Sequence, residues 1–355
     1  MLLEKESFLA HDLMPETENI IKNKFRHLWK IVGNTPMLEI EYRYKNENRK
    51  IYVKCEHFNL TGSIKDRMAL YILQKAYEHL LIKQGDIIVE ATSGNTGISF
   101  SALGKALGHE VKIIIPDWLS KERLDIIRSL GAEVILVSKE EGGFLGSIAL
   151  SERMAKEDNK VFLPKQFENM YNVEAHEKTT AKEIWMQLQN IDITPDAFVA
   201  GVGTGGTVMG VGRYLKSRNP SIKIHPLEPA ESPTLSTGCK VGSHRIQGIS
   251  DEFIPAIVKL QKLDEVIKAS DGDSILMAQK LAKQLGLAVG ISSGANFIGA
   301  IKLQNKSEGN SSVVTIFSDS NKKYLSTDLI GNEPVKEGYI SPDVELLNYN
   351  VIDRI

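Results

Sequence analysis

The sequence predicts an α/β fold of two lobes, each a mostly parallel twisted sheet flanked by helices. Three observations predict it. From about residue 50 onward, apolar β-type runs alternate with amphipathic segments, the pattern of parallel sheets covered on both faces. Two places share one design of strand, glycine-rich turn and helix: IIVEATSGNTGISFSALGKALG (87–108) and FVAGVGTGGTVMGVGRYLK (198–216). The length, 355 residues, favours two lobes over a single core.

The strands read in order as IYVK (51–54), DIIVEA (86–91), VKIIIP (111–116), AEVILVS (132–138), KVFLP (160–164), AFVAGVG (197–203), KIHPLE (223–228) and SVVTIFS (312–318). Between them, Ser120 to Leu130 reads as a helix with a serine cap and Gly131 just past its end. Residues 273–285 carry Asp273 as candidate cap and Gly286 as stop. Lys65 opens an amphipathic helix running to about residue 82. The first ~30 and last ~20 residues stand outside the pattern, and the basic, amphipathic KNKFRHLWK (22–30) reads as a surface arm or subunit contact. The expected division is an arm at 1–30, a large lobe from 31–57 and 170–334, a small lobe at 58–169, and a tail at 335–355.

A net charge of −2 gives no field that would draw nucleic acid or an anionic membrane. Cys55 and Cys239 are too few for a disulfide framework or a cysteine-built metal site, so no metal is expected. MLLEKESFLAHDLMPETE places acids where a signal peptide needs a basic patch. No run reaches the ~18 to 20 apolar residues of a membrane helix. A cytoplasmic location is expected.

The chemistry gathers at the glycine-rich turns, since ligands of open α/β sheets collect at strand C-termini. In GVGTGGT (201–207), bare backbone N–H groups and a helix N-terminus face an anion, and Thr204 and Thr207 add hydroxyls. That is a phosphate cradle. Gly201, Gly203 and Gly206 with Glu228 also imitate the dinucleotide fingerprint, so on this segment alone a nicotinamide enzyme stays open. TSGNTG (92–97) offers three hydroxyls, one amide and successive N–H groups, a loop suited to a carboxylate. In NLTGSIKDRMA (59–69), Lys65 stands at a helix start, where the positive dipole end and Arg67 should lower its pKa toward the neutral, nucleophilic amine.

Together these motifs resemble the cysteine synthase and cystathionine β-synthase group of fold-type-II pyridoxal-phosphate enzymes, which share the fold of the tryptophan synthase β chain. The likeness runs from IVGNTPMLEI (31–40) to SDSNKKYLST (318–327), through GSIKDR, EATSGNTG, KQFENMYNVEAHEKTTAKEIW (165–185), GVGTGGT, EPAESPTLS (228–236), IQGISDEFIP (246–255) and GISSGA (290–295). The resemblance implies pyridoxal 5'-phosphate bound to Lys65 and a β-replacement passing through an aminoacrylate. It gives Asn95 the cofactor's phenolic oxygen, and Thr92, Ser93, Thr96 and Gln166 the substrate carboxylate. Gly203, Thr204, Gly205, Gly206 and Thr207 take the phosphate, and Ser320, preferred over the adjoining Asp319, meets the pyridine nitrogen. A serine there stabilises a pyridinium less than an aspartate would, which favours elimination and replacement over transamination.

This sequence departs from the family at Leu60, where a proline is usual, and at FENMYN after Gln166. It departs most at Asp251 and Glu252, where cysteine synthases commonly carry small residues. Asp251 is a candidate catalytic base for an incoming thiol or water, although both acids equally suit a solvated helix start. AESPTLS is nearer to cysteine synthases, so cysteine formation from O-acetylserine and sulfide is expected, with cystathionine synthesis or sulfide release from cysteine as alternatives. The family also implies a homodimer and serine acetyltransferase as a partner. A purely partner-binding version should have lost Lys65 or Asn95, and both are present.

Overall fold

The computed structural model describes residues 19–92, 94–118, 120–250, 252–307 and 311–355. In chain order, helix α1 runs through residues 19–28. It is followed by β1 (Met37–Tyr44), β2 (Glu47–Cys55), α2 (Lys65–Glu78), β3 (Ile87–Ala91), α3 (Asn95–Leu107), β4 (Glu110–Pro116), α4 (Lys121–Ser129), β5 (Glu133–Val137), α5 (Gly143–Glu157) and β6 (Val161–Phe162). Then come α6 (Met170–Lys178), α7 (Thr180–Gln189), β7 (Ala197–Gly201), α8 (Gly206–Arg218), β8 (Lys223–Pro229), α9 (Thr234–Thr237), β9 (Ile267–Ala269), α10 (Asp271–Leu285), α11 (Ile291–Lys306), β10 (Val313–Phe317) and β11 (Val344–Ile352).

Two sheets result. One is four-stranded and wholly parallel, in the order β5-β4-β3-β6. The other has seven strands in the order β11-β1-β2-β10-β7-β8-β9, parallel from β2 to β9 and antiparallel at the β11-β1-β2 edge. Side chains alternate across the large sheet as strand geometry requires. Ile51, Val53, Val199, Val313 and Phe317 enter the core beneath α10 and α11. Tyr52, Phe198, Ala200, Val314 and Ile316 enter the core shared with α7 and α8.

Both the described part of the arm, 19–30, and the tail depart from the sequence expectation. This stretch is not a free surface element: Ile21, Phe25 and Leu28 of α1 are buried in the core around the four-stranded sheet with α2 and α3, and Phe25 meets Tyr77 edge-on at 5.7 Å. The tail supplies β11, paired with β1 from Met37↔Ile352 to Tyr44↔Val344. Asp273 does not cap α10 either. The cap position of α10 is Ser270, and Asp273 accepts the backbone N–H groups of Ile340 and Ser341, at 3.0 and 2.8 Å, tying the tail to α10. The α2 helix ends at Glu78, a turn earlier than its apolar pattern suggests. Gly286 does stop α10, in the left-handed region at φ +71°.

Val344, Leu346 and Ile352 of β11 are buried, and burying each such side chain contributes about 1.5–3 kcal/mol. Truncation after Asp343 is therefore expected to remove much of the domain's net stability and to bare the β1 edge. Urea unfolding and light scattering of the truncated chain check this, with a lower midpoint and self-association as the expected outcome.

Candidate active site

Three consecutive residues at the head of α2 point three ways, about 100° apart, as helical geometry demands. Lys65 is half-buried and faces a cavity. Asp66 is buried and fastens the preceding loop, accepting from Thr61 N (2.7 Å), Thr61 Oγ1 (2.6 Å) and Ser99 Oγ (2.6 Å). Arg67, fully buried, donates Nε to Glu56 (2.5 Å) and Nη1 and Nη2 to Glu183 (2.6 Å each). Lys54 Nζ lies 2.8 Å from the same Glu183. Burial alone would raise the Glu56 and Glu183 carboxyls, but the Arg67 guanidinium holds both below the usual range. Glu183 further accepts the N–H groups of Asn34 and Thr35 at 2.9 and 3.3 Å. Arg67 is thus consumed by carboxylates rather than standing beside Lys65 as the uncompensated charge that the sequence suggests.

The cavity opposite Lys65 is walled by the head of α3 on one side and by the β7–α8 turn on the other. It brings together Lys65, Thr92, Asn95, Thr96, Gln166, Gly203, Thr204, Gly205 and Thr207. Thr96 Oγ1 donates to Gln166 Oε1 (2.7 Å), whose Nε2 donates to Ala91 O (3.0 Å), so two of the expected carboxylate donors are pre-positioned by each other. Asn95 Nδ2 donates to Asp319 Oδ2 (2.7 Å), to which Tyr324 also donates (2.5 Å). Ser320 is not on the wall. Its backbone N–H reaches Gly62 O at 3.3 Å, and the serines lining the cavity are Ser292 and Ser318. Ser93 and Asp251 lie outside the described residues. Glu252 pairs with Lys240 at 2.9 Å, near the surface.

The glycine turn is shaped by close approach. A Cβ on Gly203 would collide with the carbonyl of Gly248, and one on Gly206 with the Asn172 amide. Gly205 sits at φ +87°, opening α8 in a conformation that side chains disfavour. Two residues of α6, not singled out by the sequence reading, brace this turn. Asn172 Nδ2 donates to both Thr204 Oγ1 and Gln166 O, each at 2.9 Å. His176 lies 3.4 Å from Thr207 Oγ1 and 2.9 Å from Thr180 Oγ1, and burial pushes its imidazole down to about 3, keeping it neutral. Their i, i+4 spacing within the conspicuous 165–185 segment was the available signal.

The sequence profile of a family described as pyridoxal-phosphate dependent enzymes matches residues 28–319. The chain belongs to this family. It is 58% identical to the hydrogen sulfide-producing enzyme from Fusobacterium nucleatum, whose structure covers 94% of this chain and 100% of its own, with a TM-score of 0.92. It is 40% identical to the probable cysteine synthase of Bacillus subtilis (strain 168), over 84% of this chain and 96% of that one. It is 37% identical to the cysteine synthase of Entamoeba histolytica, with 89% and 93% covered and a TM-score of 0.79. The two-lobed α/β fold and pyridoxal-phosphate dependence follow, and the dinucleotide reading of the glycine turn is set aside. The residues present fit the cofactor. A glycine cradle with two braced threonines matches a phosphate, and Asn95 Oδ1 is buried with no hydrogen-bond partner among the described residues.

Glu90, in β3 just before the Thr92 loop, is fully buried, and Oε2 has no hydrogen-bond partner among the described residues. Burial pushes its carboxyl up to about 8, against backbone hydrogen bonds from Gln166 and Lys165. The folded state therefore holds this proton more tightly than the unfolded chain. Stability from this group is full below about pH 4.5 and declines as pH rises toward 8. Glu90→Gln is expected to match the wild-type melting temperature near pH 5 and to exceed it by several degrees at pH 9, as followed by circular dichroism.

Proposed function

We propose that the protein replaces the β-substituent of a serine-type amino acid, forming cysteine from O-acetylserine and sulfide. One observation carries the reading: a lysine at a helix head, a neutral hydroxyl-and-amide loop and a glycine cradle meet in a single cavity. Pyridoxal phosphate, when bound, supplies a sink for the electrons released at the substrate's Cα. In this proposal Gly203, Thr204, Gly205, Gly206 and Thr207 hold the phosphate, and Asn95 orients the ring through its amide. Thr92, Ser93, Thr96 and Gln166 hold the amino acid's carboxylate. Lys65 would take the α-proton on Nζ and return it at the end. Asp319 is already engaged by Asn95 and Tyr324, which supports a neighbouring serine hydroxyl, Ser320 or Ser318, as partner of the ring nitrogen.

The proposal includes a small lobe, 58–169, that closes on the substrate against 31–57 and 170–334. Closure would exclude water and is supported by the split of donors, Thr96 and Gln166 on one side and the phosphate turn on the other. Among the described residues no helix is long and apolar enough to cross a membrane. A cytoplasmic homodimer, with serine acetyltransferase as partner, completes the proposal on the strength of the resemblance.

A second reading has its own support. The relative from Fusobacterium nucleatum, similar over nearly the whole chain, is a hydrogen sulfide-producing enzyme, and a variant of such an enzyme has been crystallised with an α-aminoacrylate intermediate. Here cysteine would be the donor, sulfide would leave and water would arrive, with Asp251 as the base. A panel of nucleophiles (sulfide, homocysteine, cysteine, water) with O-acetylserine, serine and cysteine as donors separates the readings. Asp251→Ala is expected to spare cysteine formation and to slow water- or thiol-dependent turnover about 10²- to 10⁴-fold. Wild-type turnover confined to cysteine, releasing sulfide, would establish the second reading. Equal rates of both proteins with every nucleophile would remove Asp251 from the chemistry.

A further inference from the structure

Arg123, on α4, is 1% exposed and lines the catalytic cavity. Its guanidinium lies over the Tyr324 ring, 4.7 Å from the centroid, and Nη1 donates to the Gln247 side chain. Nε is buried with no hydrogen-bond partner among the described residues. A buried guanidinium facing an amide and a ring loses hydration, and its Nε recovers no hydrogen bond among the described residues.

Its neighbour is the loop read above as the carboxylate site. Arg123 passes directly against Gly94, where a Cβ would stand 2.6 Å from Nε. Among the described residues that loop offers the carboxylate neutral donors, Thr92 and Thr96 with the adjoining Gln166, all buried. A carboxylate entering there leaves water with neutral hydroxyl and amide donors and the α3 N-terminus beside it. The guanidinium with an unpartnered Nε and the loop of neutral donors are in contact.

We propose that Arg123 is the counter-charge of the substrate's carboxylate, a binding residue for the amino acid rather than for the nucleophile. The inference rests on the reading of 92–96 as the carboxylate site. Gln247, from the loop 246–250 that follows α9, orients the guanidinium, so the amino acid's charge draws α4 and that loop together as it binds.

The test is calorimetric titration of the holoenzyme with the amino-acid substrate, for wild type, Arg123→Gln and Arg123→Lys, alongside KM for sulfide and the cofactor's near-visible band. Loss of a charge-assisted contact is expected to weaken amino-acid binding about 10- to 100-fold in Arg123→Gln, with the band and the KM for sulfide unchanged. Unchanged amino-acid affinity overturns the proposal, as does a raised KM for sulfide with intact amino-acid binding, which would move Arg123 to the β-carbon side. Should Arg123→Gln not fold, Arg123→Met, also uncharged, is read the same way: weakened binding supports, unchanged binding overturns, while Arg123→Lys, which keeps the charge, is expected to bind closer to wild type. A wild-type holoenzyme that binds no amino acid would instead defeat the parent reading of the site.

Discussion

The buried contact of Arg67 with Glu56 and Glu183 is the constraint from which the site is built. It joins the 3-10 turn after β2, the head of α2 and the middle of α7, and through Asn34 and Thr35 it also holds the segment leading into β1. With Lys54 the cluster contains two cations and two carboxylates, so it is neutral overall. Such a cluster specifies geometry more than it stabilises: its desolvation offsets most of its attraction, while removing one partner costs about 3–5 kcal/mol. Its product here is directional. Once Arg67 is fixed toward α7, Lys65, two residues earlier, faces the opposite way, into the cavity.

Charge is distributed around that cavity with some economy. The two turns that face each other across it are built of hydroxyls, amides and backbone N–H groups, Lys65 and Arg123 share its described lining, and Asp66, Lys323 and His176 are buried nearby. Asp66 is raised by burial against its hydrogen bonds from Ser99 and Thr61. Lys323 is depressed by burial in spite of Asp319 and Asp66. His176 stays neutral. Anionic ligands therefore meet pre-oriented dipoles in a cavity with no carboxylate among its described lining residues, an arrangement that makes electrostatic binding effective.

Much of this was legible in the sequence, for physical reasons that differ from element to element. All eight strands read from apolar runs are present, most of them because strands buried on both faces must be apolar throughout, although the edge strands β5 and β6 are only partly buried. The two glycine turns were legible because close backbone approach leaves glycine no substitute. The β1–β2 hairpin was not, since its turn places Lys45 and Asn46 at φ +50° and +64° without a glycine to announce it. β11 was missed because an edge strand buries one face only and alternates with polar residues. Arg67 was misjudged because sequence adjacency to Lys65 says nothing about direction around a helix. Arg123 lies inside a segment whose helix was recognised and Asn172 inside one noted only for its likeness to the family, and the reach of both into the site depends on tertiary packing that no local pattern encodes.

The claim that the Arg67 cluster sets the position of Lys65 is open to one direct measurement. Wild type and Arg67→Met, at pH 7.5 and saturating pyridoxal phosphate, are reduced with borohydride, and the modified lysine is identified by peptide mapping, with far-UV circular dichroism confirming that both chains are folded. The expected result is stoichiometric label on Lys65 in wild type, and label lost or scattered over other lysines in a folded but less stable variant. Full labelling of Lys65 in Arg67→Met, with unaltered stability, would contradict the account.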